Sequence, residues 1–196
     1  DTDVKVAVLT FSTDIKWMYS APISIEDFEW SRLNASGVTS MGAAFEELSA
    51  RMSRNSFLNS PSLSFAPVIF LMTDGYPSDD YKKGLRELYS NSWYKFGLKA
   101  ALGIGNEAND DMLAEFTGSK DTVVHAYTGS QLAQMIKIVA VPASQIGSKS
   151  MTLSDDNNKE LNADDVFASK QKLLGQQIQE LVSQEDSDDI SFDTGW

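Results

Sequence analysis

The chain has no cysteine, one histidine, 16 basic residues against 28 acidic ones, and no long apolar run. Each scarcity closes off some chemistry. Without cysteine there is no thiolate zinc site, no cysteine nucleophile and no disulfide, which fits a reducing compartment. The single histidine, His125, is the only imidazole available to a Ser/His/Asp triad. It stands within an apolar strand pattern, and no G-x-S-x-G elbow presents a serine, so it reads as a structural residue. The deficit of positive charge leaves a net charge of −12. Nucleic-acid backbones and anionic membrane surfaces are repelled, whereas cations and basic partners are favoured. The longest apolar runs, at 6–9, 68–72 and 136–141, fall far short of the roughly 18 residues of a membrane-spanning helix. The expectation is a cytoplasmic protein with no membrane and no nucleic-acid partner. The chain opens on Asp1 and not on methionine, so an upstream piece is expected.

What is present suits one domain with an appendage, since 196 residues at 42% hydrophobic content can bury a sizeable core. Residues 4–11 form a β-branched run ending in polar Ser12 to Asp14, as a buried strand entering a loop does, and 15–20 read as a short partner strand. From Ser40 to Met52, apolar Met41, Ala44, Phe45, Leu48 and Met52 recur at three- and four-residue steps and predict a helix. Residues 54–66 are rich in Ser and Asn and read as a loop. A strand at 67–73 is followed by a helix over about 79–92 with Leu85 and Leu88 inward. Further strands are predicted at 96–104 and 122–127, a short helix from Asn109 or Asp110 to its stop at Gly118, and another helix over 130–139. Alternating strands and helices with short joints predict an α/β fold with a largely parallel sheet. Ligands of such sheets sit beyond the carboxyl ends of the strands.

The character changes near Pro142. Residues 151–196 carry 11 acidic and 3 basic side chains and hence most of the net charge. Phe167, Leu174, Ile178 and Leu181 fall at helical spacing, predicting one amphipathic helix over about 163–183. The division expected is a domain over 1–148 and an acidic extension over 149–196, in which Phe192 and Trp196 are candidates for docking.

One stretch asks for chemistry. In PVIFLMTDGYPSDD, residues 67–80, five apolar residues end on Thr73, Asp74 and Gly75, which puts a carboxylate at the mouth of a buried strand. Taken with FSTD at 11–14, ASGVTSMGAAFEEL at 35–48 and LKAALGIGNEAN at 98–109, the stretch resembles the von Willebrand factor type A domain. More narrowly it is similar to the TerY-like branch associated with tellurium resistance and stress operons. The resemblance spans roughly residues 4–142. It implies a Rossmann-like, doubly wound, mostly parallel sheet with helices on both faces. It also implies a metal-ion-dependent adhesion site in which Thr39 and Asp74 hold Mg²⁺, or Mn²⁺ or Ca²⁺ in its place, while Ser40, Tyr76, Pro77 and Ser78 shape the rim that meets a partner. A hydroxyl and a carboxylate around an open position suit Mg²⁺, which takes six oxygens and keeps several waters. An acidic residue of a partner protein then fills that position. The implied role is a bacterial adaptor acting with kinase or phosphatase partners, and not an enzyme.

The family's D-x-S-x-S motif, which ends the first and central strand, occurs nowhere in the chain. Losing a central strand orphans two rows of backbone groups at about 1–3 kcal/mol for each buried one, too much for a domain worth roughly 5–15 kcal/mol. That strand is therefore expected from an upstream segment or a separate chain. Two alternatives remain open. One is a haloacid-dehalogenase-like phosphohydrolase, suggested by Asp1 and Asp3 in DTDVK. The other is a scaffold with a degenerate metal site that binds through its acidic tail.

Overall fold

A computed structural model describes residues 4–33, 37–58, 67–148 and 162–191. Asp1, Asp3, Phe192 and Trp196 lie outside that description. The chain forms two compact units, Asp1–Phe65 with Tyr76–Lys95, and Ala66–Gly75 with Phe96–Trp196.

The first unit begins with two antiparallel pairs where a single strand is expected over 4–11. β1 (Lys5–Val6) pairs with β4 (Ile23–Ser24), and β2 (Leu9–Phe11) pairs with β3 (Ile15–Trp17). The break has a physical cause. Val6 faces Ile23 but Leu9 faces Trp17, so the returning chain holds more residues than the outgoing one between these two pairs. Pro22, in that excess, has no N–H to offer a ladder. A 3₁₀ turn follows at Ile25–Asp27.

Helices α1 (Met41–Arg51) and α2 (Tyr81–Ser90) pack together, and a short α3 (Ser92–Lys95) follows. Their shared core holds Met41, Ala44, Phe45, Leu85, Leu88 and Tyr94. Two glycines allow the approach, because a Cβ on Gly84 would collide with the Gly42 carbonyl. Asp80 caps α2 by accepting from the Lys83 amide. β3 is tied to α1 through Trp17 Nε1, which donates to Glu47 Oε1 at 2.7 Å, and Arg51 Nε donates to the same oxygen at 2.9 Å. The Arg51 guanidinium beside it holds the Glu47 carboxyl below its ordinary range, helped by the Trp17 donor and the Arg51 charge and opposed by partial burial.

The second unit is built on a parallel sheet in the order β5 (Val68–Thr73), β6 (Leu98–Ile104), β7 (Val123–Ala126). Every residue of β6 from Leu98 to Gly103 is buried, as a strand covered on both faces requires. Leu98, Ala100 and Leu102 share a core with α5 (Gly129–Ser148) and α6 (Ala163–Ser191) through Val139, Ala143, Leu174 and Ile178. α4 (Asp110–Thr117) also packs on β6 and buries Met112, Leu113 and Phe116. Its ends follow the local signals: Asn109 accepts from the Met112 amide, and Gly118 closes the helix in the left-handed region at φ 77°. The fold is thus α/β, with its parallel sheet in one unit and antiparallel pairs in the other. Among the described residues no helix is long and apolar enough to cross a membrane.

Candidate metal centre

Asp74 stands one residue beyond the carboxyl end of β5, in the second unit. Thr73 is buried, and its hydroxyl lies 3.4 Å from both the amide and the carbonyl of Gly75 in a tight turn. The turn leaves the Asp74 carboxylate exposed, and it accepts no hydrogen bond from any described residue. An exposed carboxylate of this kind is open to a cation.

Thr39 belongs to the first unit, in the loop that enters α1. Its backbone is held twice, because its carbonyl accepts from the amides of Met41 and Ser78, each at 2.9 Å. The Ser40 amide donates to the Ser12 carbonyl at 3.2 Å, which places the FSTD stretch beside the same loop. The side chain of Thr39 is half-buried, and its hydroxyl has no partner among the described residues. A pinned backbone with an uncommitted oxygen is what a ligand-holding loop requires.

Ser40 directly precedes α1, in the position a capping serine takes. The Ser40 side chain makes no capping hydrogen bond. Asp79, which reads in sequence as the start of the next helix, does the capping instead. Its Oδ1 accepts from the Gly42 amide at 2.8 Å and its Oδ2 from the Ala43 amide at 3.0 Å. A carboxylate there satisfies two orphan donors and offsets the positive end of the helix dipole. Gly42 makes room for it, since a Cβ at that position would sit 2.7 Å from the Asp80 carbonyl.

Six residues singled out from sequence therefore divide as follows. Thr39, Ser40 and Ser78 are brought together in the first unit by the Ser78 to Thr39 hydrogen bond, with Pro77 and an exposed Tyr76 continuing the same loop. Asp74 lies in the other unit. Asp79 went unrecognised as a strap between the loops. The only local sign of it was a glycine in the first turn of a helix, where most residues serve better.

Taken separately, the Thr39 hydroxyl in the first unit and the Asp74 carboxylate in the second are each a hard oxygen of the kind Mg²⁺ takes alongside water. Among the described residues, no three His, Asp or Glu side chains cluster so as to hold a metal.

His125 belongs to different surroundings. Its ring stacks on Tyr127 at 6.1 Å, and a Cβ on Gly103 would strike it. Its Nε2 lies 2.9 Å from Asp110 Oδ1, without the alignment of a hydrogen bond, and neither ring nitrogen finds a hydrogen-bond partner among the described residues.

No family model, no curated protein and no solved structure matches the chain.

Proposed function

We propose that the chain is a metal-ion-dependent protein-interaction module of the von Willebrand factor type A kind, in which the oxygens of Thr39 and Asp74 hold Mg²⁺ and an acidic residue of a partner completes the coordination. The observation that carries this reading is the hydrogen-bonded pair of loops 39–43 and 78–79, which fixes Thr39 by its backbone while leaving its hydroxyl free. The ion supplies a positive centre that a partner carboxylate can grip. Tyr76, Pro77, Ser78 and Ser40 form the rim that this partner touches. The reading extends to an adaptor role in a stress or tellurium-resistance-like system with kinase or phosphatase partners, and to recognition without turnover.

The reading also calls for a strand beside β5, from an upstream segment or a second chain. In its favour, β5 pairs only with β6 among the described residues, and its six residues contain no proline and no charge to blunt the other edge.

The test is isothermal titration of Mg²⁺ into the chain and into Thr39→Ala and Asp74→Ala. Millimolar or tighter binding that both substitutions weaken at least tenfold is expected. Binding unaffected by either substitution would sink the proposal.

A further inference from the structure

Around the first unit's 3₁₀ turn the chain carries a row of three rings, Tyr19 and Phe28 half-buried and Trp30 exposed. Phe28 and Trp30 meet edge to face at 5.2 Å, and Tyr19 lies tilted against Phe28 at 5.8 Å. The row is held in place. The Tyr19 hydroxyl donates to the Glu29 carbonyl at 2.8 Å and accepts from the Glu29 amide at 3.2 Å, clamping both polar groups of the residue between the two rings. Trp30 is nevertheless 65% exposed and neighbouring Ile25 56%. A single exposed apolar side chain needs no explanation, but an exposed indole backed by two half-buried rings that hydrogen bonds hold in place is a surface with a use.

Charge decides what that surface takes. Glu26, Asp27 and Glu29 are exposed in the same segment, and none of their carboxylates is engaged by a described residue. Arg32 is the sole basic residue between positions 19 and 33. An acidic occupant would be repelled, and a purely apolar one would strip water from carboxylates without pairing them. A cationic side chain satisfies both features, since ring faces attract cations and the carboxylates pair with them. The chain's net charge of −12 adds long-range attraction of the same sign.

We propose that the Tyr19, Phe28 and Trp30 strip, with Glu26, Asp27 and Glu29, is a docking surface for a basic segment, bearing Arg or Lys, of a partner protein. This surface is independent of the metal reading, which concerns an acidic partner residue and a different loop.

The experiment is a titration of the isotope-labelled chain with an eight-residue peptide alternating Arg and Ala, and with its Glu and Ala counterpart, followed by nuclear magnetic resonance. The Trp30 indole signal is assigned through Trp30→Phe. The Arg peptide is expected to shift the Trp30 indole and the amides of residues 26–30, while the Glu peptide shifts neither. Trp30→Ala is expected to weaken binding about two- to fivefold. The triple variant Glu26→Gln, Asp27→Asn, Glu29→Gln is expected to weaken it further and to flatten its salt dependence. Equal response to the two peptides overturns the proposal. So do Arg-peptide shifts confined to other elements such as α6, and binding undiminished in both variants. Should Trp30→Ala disturb signals across the whole unit, the triple variant, which alters only exposed charges, decides the matter.

Discussion

The Gln171 carboxamide and the Lys99 peptide group face each other as two strands do. The Lys99 amide donates to Gln171 Oε1 at 2.9 Å, and Gln171 Nε2 donates to the Lys99 carbonyl at 2.7 Å. β7 pairs with β6 only from Ala101 onward, so a residue of α6 completes the ladder where the neighbouring strand has not yet begun. The same nitrogen lies 3.3 Å from the Thr117 carbonyl and from Thr122 Oγ1. One side chain thus joins α6, β6 and the end of α4.

Gln171→Ala leaves two largely buried backbone groups without partners and is expected to lower stability by about 2–4 kcal/mol. Gln171→Glu keeps the acceptor for the Lys99 amide but loses the donor, so it is expected to destabilise as well. Urea unfolding of both variants checks this. A midpoint unchanged in both would show that the pairing contributes nothing.

Lys99 itself predicts a pH dependence. Burial lowers its pKa from 10.5 to about 8, although Nζ donates to the Gly97 carbonyl at 2.8 Å. A folded pKa below the unfolded one means that the unfolded chain binds the extra proton between these values. Stability held back below pH 8 is therefore regained as pH rises toward 10.5. The full shift corresponds to about 3 kcal/mol. Lys99→Met is expected to be more stable than the parent at pH 7 and to lose this rise, as chemical unfolding from pH 7 to 10.5 can measure.

Asp79 and Ser40 make opposite predictions at one helix end. Asp79→Ala removes the acceptor for the Gly42 and Ala43 amides and is expected to cost about 1–2 kcal/mol. Amide exchange at these two residues should accelerate. Ser40→Ala, which removes no capping bond, is expected to stay within about 0.5 kcal/mol of the parent. The reverse order would return the capping role to Ser40.

Gly84→Ala is expected to destabilise the first unit by about 1–3 kcal/mol through overpacking. The new methyl meets the Gly42 carbonyl and the Phe45 Cβ, the latter at 2.9 Å. Exposed Ser90→Ala in the same helix, which loses only a hydrogen bond to the Arg86 carbonyl, serves as the control. Equal thermal midpoints for the two variants would deny that the helices touch there.

Much of the fold was legible because its signals are local. Asn109 and Gly118 bound α4 at the two places their chemistry allows, and Leu85 and Leu88 turned inward on α2 as their spacing requires. The apolar runs at 68–73 and 98–104 became the parallel pair β5 and β6. The run at 4–11 misled because its two halves find partners in different registers, a matter settled by the returning chain around Pro22. Asp79 misled for a related reason. An aspartate before a helix suits that helix, yet its carboxylate reaches the amides of another one 36 and 37 positions earlier.

The candidate centre divides in the same way. Asp74 and Thr39 could be picked out from residue type and strand context, but nothing in the string of letters indicates that the Thr39 backbone is held by Ser78 while its hydroxyl stays uncommitted. Gln171 carried no signal at all, being a polar residue on an amphipathic helix, 72 positions from the strand it completes.

Composition and periodicity alone determined the α/β class, the strongly acidic balance and the two ends of α4, because each depends on composition or on residues within a turn or two of one another. Tertiary structure decided which carboxylate caps α1, which side chain extends β6 and which ring stands exposed beside unengaged acids. Those outcomes depend on hydrogen-bonding groups far apart in the chain, whose demand for partners is met only once the backbone has folded.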